Sequence, residues 1–424
     1  MKIRWQKKII GESLTSVACI AVAAVFLLVQ NSLAAEDKVD SARRLLLGGK
    51  YAEAAEIFSE ILRDTTEDVK TPPVSASLGL ARCMAAEGKN DDARRVLKDS
   101  LEKFKDNTDG LARIHAELAQ LAIGRGDHDT AETHVEAAIG FDTNQLLARL
   151  LRGELFRLCG RIDEAHRAYA WLVKYHNSER NDTFADAESL RCIGLAAARL
   201  AEWNSNADDF KFLVNEIYPA AIKADKHFWP AHYERGRLFA EKHNRADAER
   251  AFAAALAINP RAAEVHAAVA RLALQGRDVE KALESTDRAL RINPRSIAAW
   301  HMRADLLWAN FDVRGARKLL VEQILPLNPR NEETLGRLAA CHVMLGLGND
   351  STDDNSKDSK ESLEQLVAEV DARNPRAADF YFQLGSWLDE RHKYPAARRY
   401  YLEAQKRMPR KTGPAAALGM IDMH

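Results

Sequence analysis

Between Ala377 and Arg410 the chain carries two amphipathic stripes with the spacing of packed helices. Tyr381, Leu384, Gly385 and Leu388 fall on one face of a first helix. Tyr394-Pro395-Ala396-Ala397 opens a second helix, in which Ala397, Tyr401 and Ala404 recur at i, i+4 and i+7, the spacing of a buried helix face. The same two-helix phrase recurs along most of the chain. Its first helix has a large residue and, three or four positions on, a small one, and ends at Gly or a polar turn. Its second helix opens on polar residues and an Ala. Helices approach closely only where one contributes Gly or Ala, and a large neighbour then fills the hole beside it.

The phrase has a period. Asn-Pro-Arg occurs at Asn259, Asn293, Asn328 and Asn374, and Met408-Pro409-Arg410 is a near-identical fifth case. From Pro260 to Pro294, Pro329, Pro375 and Pro409 the steps are 34, 35, 46 and 34 residues. The long step contains Asn349 to Lys360, twelve residues without an apolar member, and returns to 34 without them. A period near 34 closed by proline marks a solenoid of helical hairpins. Proline ends the second helix by removing a donor and crowding the previous turn, the asparagine before it tolerates conformations that leave a helix, and the arginine after it is expected to be solvated. The pattern predicts an all-α array of ten repeats: 35–72, 73–110, 111–144, 145–180, 181–227, 228–261, 262–295, 296–330, 331–376 and 377–410. The first five form an N-terminal array, 35–227, and the last five a C-terminal array, 228–410. In the fifth, helices around Arg191–Ala201 and Asp208–Ala224 are separated by the polar run Glu202 to Asn206. In the ninth, the polar insertion 349–360 reads as a loop between the two helices. Residues 411–424 begin an eleventh first helix, whose Leu418, Met420, Ile421 and Met423 have no following helix to pack on, so they read as a capping helix, a self-association surface or the start of a longer array.

This pattern resembles the tetratricopeptide repeat family. The residues that carry the resemblance are Trp300, Leu384-Gly385 and Leu418-Gly419, the turn glycines Gly88, Gly126 and Gly160, and the alanines that open second helices, among them Ala54, Ala93, Ala131, Ala165, Ala248, Ala282, Ala316 and Ala397. Many first slots are not Trp, and the early repeats lack the closing Pro, which loosens the boundaries. The resemblance implies a right-handed α-α superhelix whose first helices line a concave groove. Groove positions not used in packing are Tyr233, Arg237, Arg271, His301, Asp305, Trp308 and Phe382. Tyr, Trp and Arg are the types enriched in binding hot spots. Trp308 lies eight residues beyond Trp300, about 80° around a helix, and is expected to face the groove while Trp300 packs. The family's clamp for a peptide carboxyl terminus uses Lys and Asn, whereas Arg237, Arg271 and Asp305 stand here without an asparagine pair, so that mode is not expected.

The N-terminus departs from the pattern. Lys2, Arg4, Lys7 and Lys8 precede an uncharged run from Ser13 to Ala35, and Ser32-Leu33-Ala34 offers small residues before Glu36 and Asp37. Residues 1–34 therefore read as a secretory signal or, since the run is long enough, as an uncleaved anchor over 13–35. Either reading places the repeats outside the cytoplasm. Cys83, Cys159, Cys192 and Cys341 show no CxxC pair and no metal spacing, and read as buried apolar side chains. The formal net charge is −1, with 61 Lys and Arg against 62 Asp and Glu, so no global field draws nucleic acid.

No catalytic motif is present: HExxH, GxSxG and GxxxxGK[ST] are all missing from the sequence. His115, Asp127, His128, Asp129 and His134 are the densest group of possible ligands, without a tetrahedral set, and Asp350, Asp353, Asp354 and Asp358 lack the glycine and terminal Glu of a calcium loop. No enzyme, cofactor or metal is expected. The chain reads as an exported bacterial scaffold holding a protein or peptide segment in its groove, with the recognition part of a larger exported enzyme, such as a zinc peptidase, as the alternative.

Overall fold

Turn chemistry sets the elements. In the computed structural model, which describes residues 36–63, 73–178, 186–204, 207–346 and 363–422, every regular element among the described residues is helical. The signal or anchor segment, the insertion 349–360 and Met423 lie outside the described residues. Ten hairpins follow one another: α1 (36–47) with α2 (Tyr51–Arg63), α3 (Val74–Ala86) with α4 (Asn90–Lys103), α5 (Thr108–Gly124) with α6 (His128–Phe141), and α7 (Leu146–Leu158) with α8 (Ile162–Ser178). In the fifth, α9 (Ala187–Asn204) faces α10 (Ala207–Phe212) and α11 (Tyr218–Ala224), which a π-helical turn joins. Then come α12 (Trp229–Glu241) with α13 (Arg245–Ile258), α14 (Ala263–Gln275) with α15 (Val279–Ile292), and α16 (Ile297–Ala309) with α17 (Val313–Leu319). The array closes with α18 (Glu332–Leu345) and α19 (Leu363–Arg373), α20 (Ala378–Asp389) and α21 (Tyr394–Arg407), and a last helix, α22 (Thr412–Ile421).

Among the described residues, eight of the first helices end in the same way. A residue in the left-handed conformation follows each, and the next N–H reaches back to a carbonyl of the last turn, as from Lys89 to Met84, Asp127 to Ala122, Asn244 to Phe239 and Asp312 to Leu307. That closure satisfies carbonyls that the helix end leaves open. Asp127, Asn244, Asp278 and Asp312 then cap the second helix, each side chain accepting the N–H three residues on. Within hairpins, a glycine of the first helix receives a ring of the second. A Cβ on Gly153, Gly236 or Gly385 would fall within 3.0 Å of Tyr169, Phe252 or Tyr401 respectively, which is the small-beside-large rule of the sequence made concrete. The repeat of 35 residues keeps register through the π-helical turn Leu320–Ile324 after α17, where one extra residue is taken up without breaking the helix.

Two expectations about local structure are corrected. Glu202, Trp203 and Asn204 belong to α9 rather than to a polar separator, because Trp203 is buried against Tyr169 and His166. In α22, Leu418 and Ile421 are buried in the core shared with α20 and α21, while Met420 is 54% exposed.

The larger correction concerns the Asn-Pro-Arg loops. The array winds back on itself, so that the loops ending repeats six to nine sit on the hairpin turns of repeats one to four. Asn259 meets Gly49, Asn293 meets Gly88, Asn328 meets Gly126 and Asn374 meets Gly160. Each asparagine accepts the N–H of its own following arginine through Oδ1, at 2.8 to 3.0 Å. Each also donates through Nδ2 across the gap: to Tyr51 Oη (3.1 Å), Ala85 O (3.4 Å), Gly124 O (3.2 Å) and Arg157 O (3.4 Å). The following arginines are not simply solvated. Arg261 pairs with Glu87 at 3.1 Å and Arg295 with Asp91 at 3.5 Å. Successive turns of the superhelix thus meet along a polar seam, and the concave groove implied by the resemblance becomes the lumen inside the closed turn.

Candidate functional site

The inner face is built mainly by first helices, as expected, and is dominated by charge. Arg82 on α3 donates to Glu117 of α5 (2.8 Å) and to Glu188 of α9 (3.0 Å), so that α3 and α9 are tied across the lumen. Burial opposes the Arg82 charge, but the two carboxylates outweigh it and push the guanidinium pKa up. Glu234 is buried between Arg191 (3.3 Å) and Arg237 (3.1 Å). Glu154 accepts from Tyr169 (2.8 Å), Arg157 (3.0 Å) and Arg199 (3.0 Å). Burial alone would raise the Glu154 pKa, but Arg199 and Arg157 hold it well below the usual carboxylate range. Arg157 also reaches Asp379 at 3.2 Å, and Asp379 binds Lys411, which pairs with Glu202 at 3.3 Å. These links join repeats four and five to repeat ten. Such groups are paired because an uncompensated buried charge is costly.

The seven expected groove residues divide into two sets. Tyr233, Arg237 and Arg271 line one cavity of about 190 Å³ between α12 and α14, with Glu241, Glu264 and Gln275 beside them. Arg237 also pairs with Glu241 at 3.2 Å. Burial lifts the Tyr233 hydroxyl to about 12 and raises the Glu264 carboxyl. Phe382 is half-buried against Tyr401.

His301, Asp305 and Trp308 are not groove residues. Trp308 is 0% exposed and stacks on Trp387 with centroids 4.2 Å apart. It is Trp300 that stays half-buried, its indole N–H donating to Pro294 O at 2.8 Å. The helical-wheel angle was sound, but the face was assigned the wrong way round, since the packing partner of Trp308 comes from repeat ten. Asp305 accepts two bonds from Arg337, at 2.9 and 3.2 Å, and one from Trp387 Nε1 at 3.0 Å. His301 is buried against Thr334 Oγ1 at 2.7 Å, and burial followed by the Arg337 charge drives its pKa well down.

Two further cavities were not anticipated. One of about 430 Å³ lies among the early first helices and is lined by Arg82, Glu117, Glu188 and Cys192, among others. Its signal is present in the charged residues that interrupt the apolar stripes of α3, α5 and α9, whereas the groove positions implied by the resemblance all lie from repeat six onward. Another, of about 510 Å³, opens at the fifth position of the seam, where Met408 stands in place of asparagine and Trp203 faces it. His115 and His134 approach at 2.9 Å through their Nδ1 atoms, and burial followed by the neighbouring His134 lowers His115 to about 4. No group of three His, Cys, Asp or Glu among the described residues is placed to hold a metal.

Sequence profiles described as tetratricopeptide repeat match residues 33–121 and 233–297. This chain is a tetratricopeptide-repeat protein. Among solved structures it is similar to the APC/C hetero-tetramer Cut9–Hcn1, at 12% identity and a TM-score of 0.55, over 89% of this chain and 68% of that one. It is also similar to a thermophilic tetratricopeptide-repeat protein from Thermus thermophilus (21% identity, 47% and 98% coverage, TM-score 0.38) and to yeast Tom70 (12%, 92% and 96%, TM-score 0.37). No curated protein sequence matches the chain. At 12% identity the likeness to Cut9–Hcn1 speaks for the fold alone. The repeats make this tetratricopeptide protein a protein-interaction scaffold, and their architecture points away from catalysis.

Proposed function

We propose that this tetratricopeptide-repeat protein is a non-catalytic scaffold of the bacterial cell envelope that holds an extended segment of a partner protein against the inner face of repeats six and seven. The observation that carries the reading is the cavity between α12 and α14, where Tyr233, Arg237 and Arg271 converge with Glu241 and Glu264. It offers an aromatic face, two guanidinium groups and two carboxylates, a set suited to a peptide backbone with mixed side chains. Its volume of about 190 Å³ accommodates a side chain rather than a folded domain. The association of Cut9 with Hcn1 in a hetero-tetramer is a precedent for a superhelix of this kind engaging another chain. Export rests on the basic start, the uncharged run 13–35 and the small residues before Glu36.

Photo-crosslinkers placed at Tyr233 and Arg271 in living cells test the reading, with exposed Arg288 on the outer side of α15 as control. Both inner positions are expected to trap the same protein and the outer one none. Capture of the same species from all three positions, or of nothing from the inner pair, overturns it.

A further inference from the structure

The seam that closes the superhelix differs in kind from the rest of the molecule. Helix packing, which holds each hairpin to the next, is confined to elements close in sequence. Across the seam the described contacts are mostly polar: the four asparagine donations, the pairs Arg261–Glu87, Arg295–Asp91 and Arg157–Asp379, and Arg43 with Asp225 at 2.9 Å. The apolar share is Leu47 against α9 and α11, Ile292 against the first two hairpins, and Met408 against Trp203. Asn259, Asn328 and Asn374 are themselves buried, but the ion pairs Arg261–Glu87 and Arg295–Asp91 beside them are partly exposed, and an interface with few buried apolar partners opens at lower cost than packed helices do.

A segment threaded along the lumen, meanwhile, would meet the Arg82–Glu117–Glu188 bridge, which lines the cavity of about 430 Å³; the cavity of about 190 Å³ between α12 and α14 has a different lining. We propose that the seam is a parting line. The two turns separate at the Asn-Pro-Arg loops while every hairpin stays folded, and a partner segment enters sideways through the gap, after which the asparagines reclose it. This rests on the peptide-scaffold reading given above and adds the gate to it. The repeated asparagine-on-glycine contact is then a clasp: specific enough to restore register, and weak enough to release.

The experiment pries the seam without disturbing the turns. Asparagine tolerates the left-handed conformation, so Gly88→Asn with Gly126→Asn keeps both turns, yet each new Cβ would fall within 3.0 Å of Asn293 or Asn328. Gly346→Asn is the control, because Gly346 is left-handed with nothing within 4 Å of its position. Small-angle scattering reads the overall size. Iodoacetamide alkylation of Cys192, followed by peptide mass, reads access to the lumen; this thiol lines the larger cavity and burial lifts it to about 12. The pried protein is expected to show a larger radius of gyration and several-fold faster alkylation at unchanged helical circular dichroism, with the control like the parent. An unchanged size and alkylation rate in the pried variant, or equal expansion of the control, overturns the proposal.

If the pried variant loses helicity, a staple decides instead. A Cβ at Gly126 would lie 3.2 Å from that of Arg330, near the about 3.5–4.5 Å span of a disulfide, so Gly126→Cys with Arg330→Cys can lock the seam in a Cys159→Ser background. The oxidised form should protect Cys192 several-fold relative to the reduced form, and equal rates sink the parting line. Crosslinking at Tyr233 that captures nothing in either state removes the scaffold reading alone, because scattering and alkylation need no partner.

Discussion

The hairpin turns of the first four repeats and those of repeats six, seven, eight and ten have the same backbone and different residues. Gly49, Gly88, Gly126 and Gly160 hold the left-handed position in the first set; His243, Arg277, Phe311 and His392 hold it in the second. Conformation alone therefore does not require glycine here, since four bulkier residues accept it. The difference lies in what is above the turn. Over each early glycine sits an asparagine of the next superhelical turn, close enough to exclude a Cβ. Phe311, by contrast, is 79% exposed, with the Arg391 guanidinium 4.0 Å from its ring centre. Glycine in these turns marks the seam, and its replacement marks a free rim.

Exchanging the two kinds of residue gives the largest expected effect. Gly126→His adds left-handed strain, about 1–2 kcal/mol, to an overlap with Asn328 costing about 1–3 kcal/mol. His243→Gly removes such strain at an exposed position, for a gain of up to about 1 kcal/mol. Hydrogen exchange over 108–141 and 229–258 should show loosening in the first variant and none in the second. Losses of equal size and sign would abolish the distinction between seam and rim. Next in size is Asn328→Ala, which removes the bond from the Arg330 N–H and those to Gly124 and Ile123 carbonyls, about 1.5–4.5 kcal/mol at roughly 0.5–1.5 per bond. Met408→Ala, at the fifth position where no such bonds exist, should cost about 1 kcal/mol through lost apolar contact alone. Denaturation midpoints that rank these two the other way would mean that the asparagines do not clasp.

Both halves of the clasp were visible in the sequence, and their meeting was not. The period of the Asn-Pro-Arg motif and the glycines at 88, 126 and 160 identify the hairpins, because helix-breaking and left-handed turns are local events. Which turn lies over which loop depends on the pitch of the superhelix, a sum of small rotations over some 200 residues that no local pattern records. The same limit explains Trp308. Its spacing from Trp300 fixed the angle between the two rings, but the ring of Trp387 that buries it comes from two repeats further on. Tyr233, Arg237 and Arg271 were found together because they lie on adjacent first helices, where sequence spacing and spatial spacing coincide.

The smallest effect expected at the seam is a dependence on pH, with opposite signs at neighbouring clasps. His128 follows Gly126, and burial, then the charge of Arg330 across the seam, lowers its pKa, with Arg157 adding to this and Asp129 and Asp127 opposing it. A histidine whose folded pKa is depressed contributes stability above its unfolded value, near 6.5, and loses it as the pH falls through the folded value. Acid should therefore loosen the third clasp. At the fourth, Glu332 accepts from Asn374 Nδ2 at 2.6 Å, and burial, then the charge of Asp379, raises its carboxyl well above the ordinary range. The folded state keeps that proton longer than the unfolded one, so stability there is greatest below the unfolded value near 4.5 and declines as the pH rises to the folded one. His128→Gln should flatten the acid loss at 108–141, and Glu332→Gln should remove the decline toward neutral pH at 363–389, both read by hydrogen exchange across that range. If neither substitution alters the local pH profile while Asn328→Ala still loosens the seam, the clasps are held by their asparagines alone, and the charges around them are passengers.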